Sequence, residues 1–196
     1  MPKRVDHHQR KQMIAKAAMK LIEQKGAEAT TLRDIAKEVG LSLGSIQYYF
    51  PKQSDLYQFT METLFQRTKQ RMNEVEPNGT SAFDYAVQMI VQYIQVGDQE
   101  QRMENAIWIQ FAVMEQEENK ELYQRFTTIY REFLETVFAQ LQEGDCLKEG
   151  LDLEIEIKKL EIYTDGLILN AISKLNGFSQ TEIETYVRHY LAHICR

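Results

Sequence analysis

A chain of 196 residues, 43% hydrophobic and 27% charged, has apolar material for a sizeable core and too much of it for disorder. Three prolines and nine glycines are too few for the tight turns of an all-β sandwich or barrel, and no strand-to-helix alternation of a doubly wound fold recurs. The net charge of −6 hides a split. Residues 1–52 hold ten Lys/Arg against five Asp/Glu, and the remaining 144 hold thirteen against twenty-four, so a basic module able to meet an anion precedes an acidic body.

Helical periodicity begins with Ile14, Ala17, Ala18, Leu21 and Ile22, and Gly26 stands where a helix C-cap belongs. Thr31 can cap a second helix that turns Leu32, Ile35, Ala36 and Val39 inward, and Gly40 suits a left-handed turn. Ser42 can cap a third helix, which must stop near Phe50 because Pro51 disfavours the α conformation before it. Ser54-Asp55 opens a long fourth helix towards Val75. A fifth is expected over residues 80–96, a sixth over 100–115, and a seventh from an Asn119 cap to about Glu143. Asp152 can cap an eighth ending near Leu175, and Ser179 a ninth, with Glu182 completing a capping box. The expected fold is all-α, about nine helices, with two domains meeting inside the fourth: 1–54 and 55–196.

Three short helices with a glycine turn between the last two make a helix-turn-helix arrangement. Stepping about 100° per residue along the third places Ser42, Ile46, Tyr49 and Phe50 inward and Gly44 and Tyr48 outward, flanked by Gln47 and Ser45. This outward face has no carboxylate to repel phosphate and is small at its start, as a helix entering the major groove requires. Gln47 can read an adenine edge with two hydrogen bonds. Tyr48, Tyr49, Lys52 and the Thr31 hydroxyl are placed for phosphates.

The stretch Thr31-Leu-Arg-Asp-Ile-Ala-Lys-Glu-Val-Gly-Leu-Ser-Leu-Gly-Ser-Ile-Gln-Tyr-Tyr-Phe50 resembles the DNA-binding domain of the tetracycline-repressor (TetR) family. Its matching positions are Thr31, Ile35, Ala36, Gly40, Leu41, Ser42, Gly44, Ile46, Gln47, Tyr49, Phe50 and Leu56. Gln47 replaces the family's usual tyrosine, and Gln53 stands where the family has a lysine, with Lys52 one place earlier. The resemblance adds Arg33, Leu43 and Ser45 as DNA contacts. The expected DNA-binding set is therefore Thr31, Arg33, Ser42, Leu43, Gly44, Ser45, Gln47, Tyr48, Tyr49 and Lys52, with Lys3, Arg4 and Arg10 as a basic arm that either meets the DNA or is a solvated tail. His7 and His8 read as part of that tail.

The resemblance also implies a ligand pocket and a dimer interface in the acidic body. Helices five to seven are rich in large side chains, including Phe83, Met89, Met103, Met114, Tyr123, Phe126 and Phe133. They read either as ordinary core or as an apolar cavity, for which Tyr93, Trp108, Phe111 and Tyr130 are the candidates, with Asn105 and Gln110 as polar groups. The eighth helix is apolar nearly all round, which suits burial in a core or interface. Ile162, Gly166, Leu169, Tyr186 and Tyr190 are expected at a two-fold interface formed by the last two helices.

Other chemistry finds little support. No run of about 18 uncharged apolar residues suggests a membrane span, and residues 1–8 lack the apolar stretch of a signal peptide. Cys146 and Cys195 make no disulfide framework or nucleophile motif. His189 and His193, four apart, lack further metal ligands nearby. Glu117-Glu118 and Glu154/Glu156 read as solvated helix faces. The expectation is a cytoplasmic regulator with no enzyme activity, cofactor, metal or membrane partner, a homodimer on a near-palindromic DNA operator released by a small hydrophobic or amphipathic effector. The alternative is a helical adaptor that works through protein partners without reading DNA.

Overall fold

The computed structural model describes residues 7–77, 79–113, 120–173 and 177–196. Among them the secondary structure is helical: α1 (His7–Lys25), α2 (Leu32–Val39), α3 (Leu43–Tyr49), α4 (Gln53–Asn73), α5 (Ala82–Ile94), α6 (Gln99–Val113), α7 (Lys120–Glu143), α8 (Leu153–Ala171) and α9 (Gln180–Ile194). The one strand-like pairing among the described residues is an isolated antiparallel bridge between Leu147 and Cys195. The all-α expectation holds. The expected Asn119 cap, Met114, Glu117-Glu118, Leu175 and the arm residues Lys3 and Arg4 lie outside the described residues.

Local chemistry sets several helix ends. Thr31, Ser42, Asp152 and Ser179 each accept a hydrogen bond from the backbone N–H three residues on, as N-caps do. Gly40 ends α2 at φ 69°, a left-handed position that a side chain would strain. Several boundaries differ from the sequence reading, and two of them have a visible cause. Ser81 caps the fifth helix, which runs from Ala82 to Ile94 rather than over 80–96. The eighth ends at Ala171, where the Arg102 guanidinium takes the Ala171 carbonyl at 2.6 Å and the Phe178 carbonyl at 2.9 Å. A cation on the Ala171 carbonyl satisfies one of the acceptors that a helix end leaves open.

The chain divides into two compact units, Met1–Gln66 with Ala106–Tyr123, and Arg67–Asn105 with Gln124–Arg196. In the first, α2 packs on both α1 and α3. Ile14, Ala18, Met19, Ile22, Ile35, Ile46, Phe50, Leu56 and Met61 form its core. In the second, α5 lies against α8 and α9, over a core that includes Ile90, Ile94, Leu134, Phe138, Leu160, Ile168, Val187 and Leu191. Arg188 on α9 reaches Asp84 on α5 at 2.6 Å. Because Asp84 also accepts from Ser81, its carboxyl is held below its ordinary range, the Ser81 hydrogen bond being the larger cause.

Candidate nucleic-acid interface

The geometry of α3 follows from its two buried anchors. Ile46 and Phe50 are sealed in the core, and four residues of spacing put them on one side. The opposite side is left open. Gly44, Gln47 and Tyr48 are exposed, and Tyr48 keeps 70% of its surface. Tyr49 and Ser45 are half-buried. Ser42, expected inward, is exposed instead. Its oxygen caps the helix by accepting from the Ser45 N–H at 3.1 Å and lies 2.9 Å from the Ser45 hydroxyl. Leu43 is half-buried, and Arg33 and Lys52 are exposed.

At the start of α2 the hydrogen-bonding is already taken. The Thr31 hydroxyl donates to Asp34 at 2.6 Å and accepts from the Asp34 N–H at 3.2 Å. Lys25 holds the same carboxylate at 2.7 Å. These partners, Lys25 first and Thr31 second, keep the Asp34 carboxyl well below the usual carboxylate range. The Thr31 hydroxyl therefore meets a phosphate only by giving up its bond to Asp34.

The departure at Gln53 has a structural reason. Its side-chain amide donates to the Thr30 carbonyl at 2.7 Å and lies 2.6 Å from the Tyr57 hydroxyl. Tyr57 in turn donates towards the Ala27 and Thr30 carbonyls. Burial pushes the Tyr57 hydroxyl up. Position 53 thus ties the α1–α2 loop to the first turn of α4, and Lys52 carries the nearest exposed charge. The histidines read as tail belong to α1. The His7 ring sits 5.7 Å from Tyr48 and 5.2 Å from Tyr49, a contact that no local pattern announces.

The candidate ligand residues separate. In the second unit Tyr93 and Tyr130 stack at 4.5 Å with their planes 12° apart, and Phe133 continues the stack 5.5 Å from Tyr93. The Tyr130 hydroxyl is hydrogen-bonded to that of Thr164 on α8. Burial raises both tyrosine hydroxyls well above their ordinary range. Asp165, next along α8, is pushed up to about 6 by desolvation first and by Glu161 second. Trp108 and Phe111 belong to the first unit, where Phe111 meets Tyr57 edge-on at 5.5 Å. The two polar candidates are occupied by structural work. Asn105 donates to the carbonyls of Ile94 and Gln95 at the end of α5, and Gln110 accepts from the Ala27 N–H.

On α8, the expectation that an all-round apolar helix is buried holds for one side. Leu160, Leu167 and Ile168 are buried, while Ile155, Ile162 and Leu169, seven residues apart, stay 52%, 63% and 55% exposed. A Cβ added at Gly166 would meet nothing within 4 Å, so packing inside this chain does not require the glycine. Tyr186 and Tyr190 are half-buried on their own chain, against Phe178 at 5.0 Å and Tyr163 at 4.6 Å. Glu156, read as solvated, is buried and paired with Lys159 at 2.7 Å. The exposed Glu154 pairs with Arg131 on α7. His193 is bonded to the His189 carbonyl of its own helix, and no trio of metal-ligating side chains occurs among the described residues.

No helix among the described residues is long and apolar enough to cross a membrane. Residues 14–58 match the family of bacterial regulatory proteins of the tetR type, and residues 85–196, more than half of the chain, match the C-terminal region of BetI-type transcriptional repressors. The chain is 27% identical over 195 residues to the HTH-type transcriptional regulator PksA of Bacillus subtilis, covering 100% of this chain and 94% of that protein. A transcriptional regulator from Rhodococcus sp. Rha1 superposes with a TM-score of 0.79 at 22% identity, covering 94% of this chain and 95% of its own. A regulator from Saccharomonospora viridis, solved in complex with choline, superposes with a TM-score of 0.80 at 18% identity, covering 96% and 99%. The chain belongs to the tetR family of bacterial regulatory proteins and is a DNA-binding transcriptional regulator.

Proposed function

We propose that the protein is a one-component repressor that binds a near-palindromic operator as a homodimer and leaves it when a small amphipathic ligand binds. Residues 1–54 read DNA, and 55–196 carry the ligand and the dimer contact. The observation that carries this reading is α3: capped at its start, anchored by Ile46 and Phe50, and open on a face of Gly44, Gln47 and Tyr48 without a carboxylate. Gln47 reads a base edge, while Arg33, Leu43, Ser45, Tyr48, Tyr49 and Lys52 fix the helix on the backbone. Thr31 and Ser42 serve mainly as caps that aim those groups.

The exposed stripe Ile155, Ile162 and Leu169 together with Gly166 supports a second copy as the partner, since a row of large apolar side chains seven apart is a helix-packing surface. Tyr186 and Tyr190 flank it. Two recognition helices carried about 34–36 Å apart would meet successive major grooves. The Tyr93–Tyr130–Phe133 stack, bordered by Thr164 and Asp165, supports an effector with an apolar body and a polar or cationic end. A ligand that favours one separation of the recognition helices over another releases the DNA.

The test is selection of genomic fragments by the purified protein at two salt concentrations. A near-palindromic site with half-sites about one turn or a multiple apart supports the reading. Weak, salt-sensitive and sequence-blind capture overturns it in favour of an adaptor that acts through protein partners.

A further inference from the structure

Tyr48 and Tyr49 follow one another on α3, so their side chains leave the helix about 100° apart. Their rings still meet, 5.2 Å apart and 85° between planes. A third ring completes the group. His7, in the first turn of α1, is 5.7 Å from Tyr48 at 52° and 5.2 Å from Tyr49 at 56°. Tyr48 is 70% exposed, and among the described residues its ring contacts are these two neighbours. A tyrosine so exposed has little else to choose its rotamer, and ordering a free side chain on binding costs affinity.

We propose that His7 is a positioning residue for DNA binding: its ring packs against both Tyr48 and Tyr49 and fixes the direction in which Tyr48 meets the operator backbone. The inference rests on the reading of α3 as the DNA-facing helix and adds a residue from α1 to it. His7 acts here through ring packing, so any aromatic ring of similar size does the same work, and a small side chain does not.

Fluorescence-anisotropy titrations on the selected operator test this with wild type, His7→Ala, His7→Phe, Tyr48→Ala and the His7→Ala/Tyr48→Ala double variant, each at several salt concentrations. His7→Ala is expected to weaken operator binding about three- to tenfold, the range of one aromatic pair, with an unchanged salt slope. His7→Phe is expected to stay within about twofold of wild type. In the Tyr48→Ala background the His7→Ala effect is expected to vanish, because coupled residues are non-additive. Losses that simply add, or a phenylalanine as weak as the alanine, overturn the proposal. A salt slope flatter by about one unit in both His7 variants also overturns it, because His7 would then meet a phosphate itself. A wild type that selects no site overturns the reading of α3 first, an outcome visible before any variant is compared.

Discussion

The third and eighth helices each leave one face without cover from their own chain, and the two faces are chemically opposite. The face of α3 is seven residues long and shows a glycine, a glutamine and a tyrosine hydroxyl. That of α8 runs nineteen residues and shows two isoleucines and a leucine, flanked by the exposed Lys158, Lys159 and Asp165. Each is anchored from behind by ordinary apolar core, so the anchoring does not distinguish them. What distinguishes them is the solvent that the open side would rather leave. Hydrogen-bonding groups lose little by facing water and gain by meeting base edges, whereas a row of branched aliphatics gains only by leaving water. An open face thus announces the chemistry of its partner.

The hardest test of that contrast is a charge on the apolar stripe. Ile162→Glu is expected to leave the helices intact by circular dichroism while weakening dimerisation about a thousandfold. Two copies each lose about 2 kcal/mol of burial, and every 1.4 kcal/mol is tenfold. Sedimentation as a function of concentration reads the dissociation, and an unchanged dimer would break the comparison from the α8 side. On α3, Gln47→Ala is expected to cost about 1–3 kcal/mol of discrimination at one base position. Lys52→Ala should instead weaken binding on all sequences and flatten the salt slope by about one unit. Equal losses on operator and random DNA in both variants would erase the division between reading and anchoring.

Thr31→Ala removes the α2 cap and is expected to lower stability by about 1 kcal/mol in urea unfolding. The smallest effect belongs to Asp165. Its carboxyl is pushed up to about 6 in the folded chain, so the folded state binds a proton more tightly than the unfolded one. Its contribution to stability is present below pH 4 and lost as pH rises through 6. Asp165 is exposed enough for solvent screening to hold this below about 1 kcal/mol. Asp165→Asn should therefore flatten the fall in melting temperature between pH 4 and 7, and an unaltered profile would remove Asp165 from the rim of the aromatic stack.

Much of the fold is legible in the sequence because helix caps are local. Thr31, Ser42, Asp152 and Ser179 lie three residues from the N–H each accepts, and Gly40 stands next to the helix it ends. The face of α3 is legible for the same reason, since one helical period relates Ile46 to Phe50. The illegible part is long-range. Nothing near Gln110 in sequence reveals that it serves Ala27, 83 residues away, and Arg102 closes a helix 69 residues further on. Asn105 and Gln110 therefore look like free polar groups until the fold spends them. Glu156 looks solvated because its charge pattern matches that of Glu154, yet one is buried beside Lys159 and the other pairs with Arg131 at the surface. Periodicity shows that α8 is apolar all round but not which side its own chain covers.

The knot around Tyr57 has a consequence for how the basic unit breathes. Residues 26–30 form no helix, and loops of this kind usually exchange their amide hydrogens freely. Here the carbonyls of Ala27 and Thr30 are held by Tyr57 and Gln53, and the Ala27 N–H is held by Gln110. The loop cannot open until both the start of α4 and Gln110 on α6 let go. The Ala27 hydrogen would therefore exchange slowly and report on Gln110 of α6, so one isotope-exchange trace follows a helix 83 residues away from a position that has no helix of its own.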